Sequence, residues 1–348
     1  GIKEKEPFTN NPIEEYASTG GYYFATGKIA KKYINELFVK DILINGEAYI
    51  SSAYDLMIKD GLNVNVFDID YFFQWGTPED YEEFLYCMDE IDSLKADKQI
   101  NLSNFNLVIP AAGMGSRFSD EGYKTPKIFL NVNGNKMIKT ILNKFKNQST
   151  TSVLGNKYVI DKLNEVFADS SNVRLSSVDS VTKGQSDSAN LLIEEIENDL
   201  PIFIQSADCI LSDIDLNKIM SLDPDLVVLT KQNYRRAITN PESYGWVLSE
   251  NNLVNKTNIK KKPGNKNYSM ILGSFIFKNK ELYQKIYKEL LKQAPGELHI
   301  DYMIDIALSM DLKVVELTSN SASVIGTPLE FELHKYSEFI FNRLQNEN

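Results

Sequence analysis

The stretch "VIPAAGMGSRFSDEGYKTPKIFL", from Val108 to Leu130, sets a short apolar strand against a turn that contains two glycines. Gly113 and Gly115 allow the backbone to turn tightly and to bring its N–H groups close to a phosphate. Arg117 offers a planar fork suited to phosphate oxygens, and Lys127 follows a proline that stiffens the loop. The stretch therefore predicts a polyphosphate-binding loop at the end of a strand.

Two familiar phosphate-binding loops have different patterns. A dinucleotide-binding loop has a third glycine where Phe118 stands, and a P-loop has four residues between its glycines followed by Lys and Ser or Thr. A surface turn with solvated charges is the remaining alternative, because a glycine loop alone is a weak signal.

The composition is that of a soluble globular protein, with 348 residues, 43% of them hydrophobic and 24% charged. This length accommodates one large domain or two moderate ones. Cys87 and Cys209 are far apart and match no metal or redox spacing, so we expect a reduced, cytoplasmic setting. The net charge of −11 disfavours binding to nucleic acid or to an anionic membrane. It leaves room for a phosphorylated substrate, since a few cations can hold an anion inside an acidic protein.

Strands and helices alternate after residue 104, which predicts an α/β fold with a Rossmann-like, mainly parallel sheet and helices on both faces. Ligands of such sheets bind beyond the carboxyl ends of the strands, where the glycine loop is expected. The predicted strands are 105–110, 173–178, 201–205 and 226–230, with a strand-rich insertion at 244–248, 254–260 and 270–277; the predicted helices include 136–145, 157–167 and 188–197.

The chain also contains an internal repeat. Residues 45–84 align without a gap with residues 295–334, and ten of the forty positions are identical. Both copies predict a strand with a Lys-Pro turn, a Gly-led strand, two helices, a strand, a Gly-Thr-Pro turn and a last helix. We therefore expect residues 1–91 to be the C-terminal half of a first unit, 92–104 a linker, and 105–345 a complete unit. Such a half-sheet needs cover from the complete unit, from a second chain as in a homo-oligomer, or from a missing upstream half-domain. We expect its aromatic stretches "GGYYF" and "DYFFQW" to be buried there.

The segments "AAGMGSRF", "PKIFL" and "NVNGNKMI" closely resemble the signature of the sugar-phosphate nucleotidyltransferases, also called nucleoside-diphosphate-sugar pyrophosphorylases. The gap containing "GYKTPK" is most similar to a bacterial subgroup linked to capsule and surface-polysaccharide genes. The resemblance covers residues 105–345, and its C-terminal half covers 1–91. It implies transfer of a nucleotidyl group from an NTP to a sugar 1-phosphate, giving an NDP-sugar and pyrophosphate.

The resemblance also implies a set of site residues. Arg117 and Lys127 would be catalytic, gripping the triphosphate and the reacting phosphates. Asp208, at the end of "PIFIQSAD", would bind Mg²⁺, although an aspartate there is also a common turn cap. Gly245 and Lys262 would contact the sugar and its phosphate. The nucleotide would be bound by Ala111, Ala112, Gly113, Gly115, Ser116, Thr182 and Gln185.

Several features leave alternatives open. Lys262 lies in a run of three lysines, which is typical of a solvated face, and Asp187 or Ser188 is an alternative cap for the following helix. Val324 stands where many relatives carry a second metal-binding aspartate, and Leu329 replaces the Glu79 of the first copy. A degenerate nucleotide-binding or regulatory module is therefore one alternative function, and transfer to a non-sugar phosphate such as phosphocholine is another.

The segment "GELHID" offers a further candidate metal cluster. Glu297, Asp301 and Asp305 would share one face of a helix. An acidic first turn favoured by the helix dipole is the alternative that we prefer.

Overall fold

The computed structural model describes residues 1–11, 15–96, 98–264, 267–293 and 296–346. The chain divides into two compact units, Gly1–Tyr81 and Glu82–Asn348. The helices are α1 (Gly27–Val39), α2 (Ile50–Lys59), α3 (Pro78–Lys95), α4 (Ser116–Asp120), α5 (Met137–Asn143), α6 (Ile160–Val166), α7 (Gln185–Glu194), α8 (Leu216–Met220), α9 (Arg235–Thr239), α10 (Lys280–Gln293), α11 (Tyr302–Ser309) and α12 (Pro328–Asn346). The strands are β1 (Ile100–Asn101), β2 (Asn106–Pro110), β3 (Asn131–Val132), β4 (Asn135–Lys136), β5 (Phe145–Lys146), β6 (Thr150–Asn156), β7 (Val173–Val178), β8 (Ile202–Ile204), β9 (Cys209–Ile210), β10 (Leu226–Lys231), β11 (Gly245–Glu250), β12 (Leu253–Ile259), β13 (Ser269–Phe277), β14 (Val314–Thr318) and β15 (Ser323–Val324).

Within the described part of the second unit, nine strands form one mixed sheet in the order β10-β14-β12-β11-β13-β8-β2-β6-β7. Strands β8, β2, β6 and β7 run parallel to one another, as the sequence predicts. The strand-rich insertion joins the same sheet through antiparallel pairs of β13 with β8, β10 and β11. Because β2, β6 and β8 are parallel, their carboxyl ends lie at one edge of the sheet, and this edge collects the glycine loop and the segment that ends in Asp208.

Strand β2 lies in the core of this sheet. Leu107, Val108 and Ile109 are each 0% exposed although their side chains alternate between the two faces. The strand is buried on both faces of the sheet, which explains why its apolar sequence is continuous rather than alternating. One face is covered by α7, α10 and α11, whose apolar side chains form a single cluster with Val108 and Phe275.

Helix α3 contains the last residues of the first unit and the first residues of the second. It continues to Lys95, so residues 92–95 of the expected linker are helical. Within the second unit, Glu90 Oε2 lies 2.9 Å from His334 Nδ1 of α12, and both side chains are almost completely buried. The Tyr86 hydroxyl donates to the Val324 carbonyl at 3.4 Å. The second unit therefore includes most of α3, and a complete unit beginning at residue 105 stays a prediction.

The first unit is helical. Tyr33 and Leu37 of α1 are buried against Ala53 and Met57 of α2. The described residues of 1–81 contain no strand of the predicted half-sheet. Of the aromatic stretches expected to be buried, Tyr23 and Trp75 are 83% and 64% accessible, whereas Tyr22 and Phe24 are partly buried against the cluster of α1 and α2. The partial repeat of the fold therefore stays a prediction. Its helices are present in the described residues of the first unit, whereas its strands are not.

The described helices include none whose length and apolar character would let it cross a bilayer.

Candidate active site

The glycine loop joins the end of β2 to the start of α4. Gly115 has φ of 65°, in the left-handed region that favours glycine, and it directly precedes Ser116, the first residue of α4. Gly113 has no positive φ, and a Cβ added there would meet no atom within 4 Å. The space beside Gly113 is therefore open to a ligand. The loop is held from behind, because the Asn156 side chain donates to the Ala112 carbonyl at 3.0 Å.

A cavity of about 310 Å³ opens in front of this loop. It is lined on one side by the loop and on the other by the ends of β6 and β8. Six of the residues predicted from the sequence line it, namely Ala111, Gly113, Gly115, Lys127, Gln185 and Asp208.

Lys127 and Asp208 meet at the wall of this cavity. Lys127 begins a short 3-10 turn after Pro126, and its Nζ lies 2.8 Å from Asp208 Oδ2. The Ser206 hydroxyl donates to the other carboxylate oxygen. Burial raises the pKa of the Asp208 carboxyl, but the Lys127 ammonium, Ser206 and the charge of Arg117 together hold that pKa below its usual range. Asp208 is therefore a fixed negative charge beside a cation.

Arg117 is exposed in the first turn of α4. Among the described residues its guanidinium has no hydrogen bond or ion pair, and its charge is one of those that hold the pKa of Asp208 low against burial. The charge of Arg117 therefore acts on Asp208, although Arg117 itself does not line the cavity. Ser116 beside it is exposed as well.

The segment before α7 is fixed by its packing. Gly184 lies against the Leu298 backbone, where an added Cβ would be 2.6 Å from the carbonyl oxygen. The Gln185 side chain donates to the Gly273 carbonyl at 3.2 Å, and the Thr182 hydroxyl lies 2.7 Å from that of Ser188. Helix α7 begins at Gln185, so neither Asp187 nor Ser188 is its N-cap. Gln185 reaches the cavity, whereas Thr182 does not line it.

The two residues predicted for the sugar phosphate lie in different environments. Gly245 is buried at the start of β11, with Asp301 directly across its Cα. Lys262 is exposed on the turn after β12, where its carbonyl accepts a hydrogen bond from Asn258. The structure does not bring Lys262 into the wall of the cavity.

Glu330 connects the Gly-Thr-Pro turn to this region. It is 1% exposed, and its Oε2 accepts the backbone N–H groups of Gly326 and Thr327, both at 2.9 Å. Its Oε1 accepts the hydroxyls of Tyr234 at 2.7 Å and Tyr244 at 2.9 Å. The carboxylate at position 330 therefore holds the turn, and Leu329 does not disturb it.

Comparison with protein families agrees with this geometry. Residues 107–331 match the model of the Nucleotidyl transferase family, which is more than half of the chain. The chain belongs to this family of nucleotidyltransferases. Comparison with curated proteins yields no match to the chain.

Solved structures confirm the fold of the nucleotidyltransferase domain. A nucleoside-diphosphate-sugar pyrophosphorylase from Vibrio cholerae is similar with a TM-score of 0.55 at 20% identity, over 66% of this chain and 99% of that one. An inositol-1-phosphate CTP transferase from T. maritima is similar with a TM-score of 0.50 at 16% identity, over 68% of this chain and 96% of that one. At these identities the likeness concerns the fold. About a third of this chain lies outside each match.

The nucleotidyltransferase site contains residues that the sequence analysis did not single out. Met114, Asn156, Tyr158 and Ser206 all line the cavity. Asn156 ends β6, a strand that was not predicted. Its position at the carboxyl end of a parallel strand is the signal that would have found it.

The nucleotidyltransferase domain holds no metal cluster at "GELHID". Helix α11 begins at Tyr302, so Glu297 lies outside it. The described residues include no group of three or more acidic, His or Cys side chains arranged to hold a metal ion. The metal-cluster alternative for this segment is therefore wrong within the described residues.

Proposed function

We propose that this nucleotidyltransferase transfers a nucleotidyl group from an NTP to a sugar 1-phosphate, releasing pyrophosphate. The observation that carries the proposal is the Lys127–Asp208 pair, 2.8 Å apart, in the wall of the glycine-loop cavity. A cation, a carboxylate and open backbone N–H groups in one cleft are what a triphosphate with a divalent ion requires. An NDP-sugar supply for surface polysaccharide, made in the cytoplasm, is the biosynthetic role that the sequence resemblance suggests.

The chemistry needs no protein nucleophile. A phosphate oxygen of the acceptor forms the new bond to the α-phosphorus, and the bond from the α-phosphorus to the bridging oxygen of pyrophosphate breaks in line with it. Arg117 and Lys127 neutralise the negative charge that gathers on the phosphates, and the glycine loop orients the phosphates. Lys127 exchanges Asp208 for a phosphate oxygen when the nucleotide enters.

The residues present fit Mg²⁺. Magnesium is commonly held by one or two carboxylates together with substrate phosphates and water. Asp208 supplies one carboxylate, already ionised, at the cavity wall. When bound, the ion would offset phosphate charge beside Asp208, while the protein's own contribution is to orient that carboxylate through Ser206.

A pyrophosphate-release assay with each of the four common NTPs tests the proposal, using a panel of sugar phosphates and phosphocholine as acceptors. Arg117→Ala should lower turnover by about 100-fold or more, the scale of losing one charge-stabilising donor. Arg174→Ala is the matched control, since this arginine of β7 is also exposed, pairs with Glu195 and is not part of the glycine loop. Equal turnover in both variants would remove Arg117 from the mechanism.

Asp208→Asn is the second variant. It keeps the shape of the side chain and removes the charge that attracts Mg²⁺, so activity should collapse while the melting temperature changes little. Unfolding of this variant would mean that Asp208 is a structural cap. Nucleotide binding without pyrophosphate release by the wild-type protein would favour the binding-module alternative over the transferase.

A further inference from the structure

Asn156 is the last residue of β6 and lies beside the glycine loop. The last pair between β2 and β6 joins Pro110 to Leu154, and the Ala111 N–H donates to the Leu154 carbonyl at 2.9 Å. Strand β6 continues from there to Asn156, whose residue is 5% exposed. Asn156 is therefore almost completely buried between the sheet and the loop, at the wall of the glycine-loop cavity.

The amide of Asn156 both donates and accepts hydrogen bonds. Its Nδ2 donates to the Ala112 carbonyl at 3.0 Å and lies 3.5 Å from the Gly113 carbonyl oxygen. Its Oδ1 accepts the Tyr158 N–H at 2.9 Å. A primary amide has two N–H donors, so one side chain can serve both carbonyls. Carbonyl oxygens only accept and the backbone N–H only donates, and these partners therefore fix which way the amide faces.

The two carbonyls belong to consecutive peptide groups of the loop. In a planar trans peptide group, the C=O of one residue and the N–H of the next point in opposite directions. The Ala112 carbonyl is therefore opposed by the Gly113 N–H, and the Gly113 carbonyl by the Met114 N–H. Because both carbonyls are directed at Asn156, both of these N–H groups point away from it.

The N–H groups of Gly113 and Met114 are available to a ligand. Within the part of the chain that the structure describes, neither donates to a backbone carbonyl or to a side chain. Both residues are exposed, and a Cβ added to Gly113 would meet no atom within 4 Å. Successive N–H groups that face open space form a concavity that binds anions.

We infer that Asn156 is a positioning residue, which holds the Ala112 and Gly113 carbonyls so that the next two N–H groups donate to phosphate oxygens of the nucleotide. The inference rests on the proposed function for the identity of this ligand. Donors that are oriented beforehand bind an anion without a cost for ordering the loop. An amide suits this role, because a carboxylate of the same shape would repel the two carbonyls.

Asn106 provides a matched control. It is the first residue of β2 and is 0% exposed. Its Nδ2 donates to Asn198 Oδ1 at 2.7 Å and to a backbone carbonyl, that of Leu200, at 3.3 Å. Because β2 and β6 are parallel, the first residue of β2 and the last residue of β6 lie at opposite edges of the sheet. Asn106→Ala therefore removes a buried amide of the same kind without touching the glycine loop.

The test measures binding by isothermal titration calorimetry in the presence of Mg²⁺. The probes are tripolyphosphate, which has phosphates but no base, and the NTP that the wild-type protein binds best. Asn156→Ala should raise the Kd for both probes by about 10-fold or more, on the scale of a hydrogen bond to a charged group. Asn106→Ala should leave both values within about twofold of wild type. In the transfer assay, Asn156→Ala should raise the KM for the NTP and leave the KM for the sugar phosphate within about twofold.

Asn156→Asp separates the orientation of the loop from its packing. It keeps the shape of the side chain and still accepts the Tyr158 N–H, but its carboxylate has no donor for the two carbonyls. It should bind tripolyphosphate more weakly than Asn156→Ala, since the carboxylate repels both the carbonyls and the phosphates. Affinity equal to that of the wild-type protein would overturn the inference. If Asn156→Asp does not fold, Asn156→Ala still decides, because it buries no charge.

Three other results would overturn the inference. Loss of affinity for the NTP with unchanged affinity for tripolyphosphate would show that Asn156 contacts the base. Unchanged affinity for both probes would show that the loop needs no support from this side chain. Equal losses in Asn156→Ala and Asn106→Ala, with equal falls in melting temperature, would show a general loss of structure.

The same measurements distinguish this inference from the proposed function. If tripolyphosphate binding depends on Asn156 but no acceptor leads to release of pyrophosphate, nucleotidyl transfer fails and the inference stands. Wild-type protein that binds neither probe would contradict both.

Discussion

The two Gly-Thr-Pro turns of the chain have the same local structure. In the first, Asp80 Oδ2 accepts the N–H groups of Gly76 at 3.1 Å and Thr77 at 2.9 Å. In the second, Glu330 Oε2 accepts those of Gly326 and Thr327, both at 2.9 Å. In both turns the threonine hydroxyl accepts the N–H of the acidic residue at 3.2 Å. A helix then begins at the proline, so the same motif gives the same reciprocal cap 250 positions apart.

The surroundings of the two carboxylates differ. Asp80 is half-buried, whereas Glu330 is almost completely buried and its second oxygen accepts the hydroxyls of Tyr234 and Tyr244. The additional methylene of glutamate lets one carboxylate serve both the turn and the interior. The comparison teaches that the cap is encoded locally and that its connection to the active site is added by tertiary packing.

The helices around the two turns repeat in the same way. Gly27 and Lys280, the first residues of α1 and α10, are 253 positions apart, and Lys59 and Ser309, the last residues of α2 and α11, are 250 apart. Helices satisfy their hydrogen bonds within their own segment, whereas strands need neighbouring strands. Helices without strands are therefore what a half-unit forms when its partner strands are absent, which supports the repeat as a proposal.

The largest expected effect comes from giving α12 the residue of the first copy. His334 stands 250 positions after Phe84. His334→Phe should destabilise the protein by about 3–5 kcal/mol, because it leaves Glu90 buried without its partner. Chemical denaturation measures this effect, and a loss below about 1 kcal/mol would show that the pair adds little beyond packing.

Removing the two caps should separate local from tertiary roles. Glu330→Ala should cost about 3 kcal/mol, since it leaves two tyrosine hydroxyls and two backbone N–H groups in need of partners. Asp80→Ala should cost about 1 kcal/mol, the ordinary value for a helix N-cap. Melting curves of the two variants measure both losses of stability. Equal losses would contradict the distinction between the two turns.

Acid should reduce the penalty of His334→Phe. Burial raises the pKa of Glu90, but hydrogen bonding and charge from His334 outweigh it and hold that pKa below its usual range. The wild-type stabilisation is present above the unfolded carboxyl pKa and is lost as pH falls through the folded one. In the variant, burial is opposed only by Lys231 and Ser323 and the pKa of Glu90 rises, so the difference in stability between wild type and variant should narrow by about 1 kcal/mol or more between pH 7 and pH 4. A gap that widens on acidification would show that Glu90 is not the titrating group.

The smallest expected effect is that of Asp80→Glu, which gives the first turn the acidic residue of the second. A glutamate there still caps the turn but meets no buried hydroxyls, so stability should change by less than about 0.5 kcal/mol. Differential scanning calorimetry of the variant and the wild type measures this change in stability. A gain in stability of about 1 kcal/mol or more would mean that glutamate itself, rather than its hydrogen bonds to the tyrosines, makes the second turn more stable than the first.

Most elements of the second unit could be predicted from the sequence. Strand β7 has the predicted bounds, and β2, β8, β10 and the three strands of the insertion lie within one or two residues of theirs. Helix α7 begins three residues earlier than predicted, because its first turn is held by the Leu298 backbone rather than by a side-chain cap. The cavity likewise contains six of the predicted residues, whereas Asn156 depends on a strand whose sequence "TTSVLGN" has little apolar alternation.

By itself, the sequence determined the strand and glycine loop at Val108–Leu130, the alternation of strands and helices, and the resemblance to the nucleotidyltransferases. These properties depend on neighbouring residues, because turn geometry, helix capping and periodic apolar positions act over a few positions. Only the tertiary structure decided that Lys127 meets Asp208, that Glu330 binds Tyr244, and that Asp301 lies against Gly245. Each of those contacts joins residues 56 to 86 positions apart in the chain, and packing of the sheet and its helices is what brings such distant residues into contact.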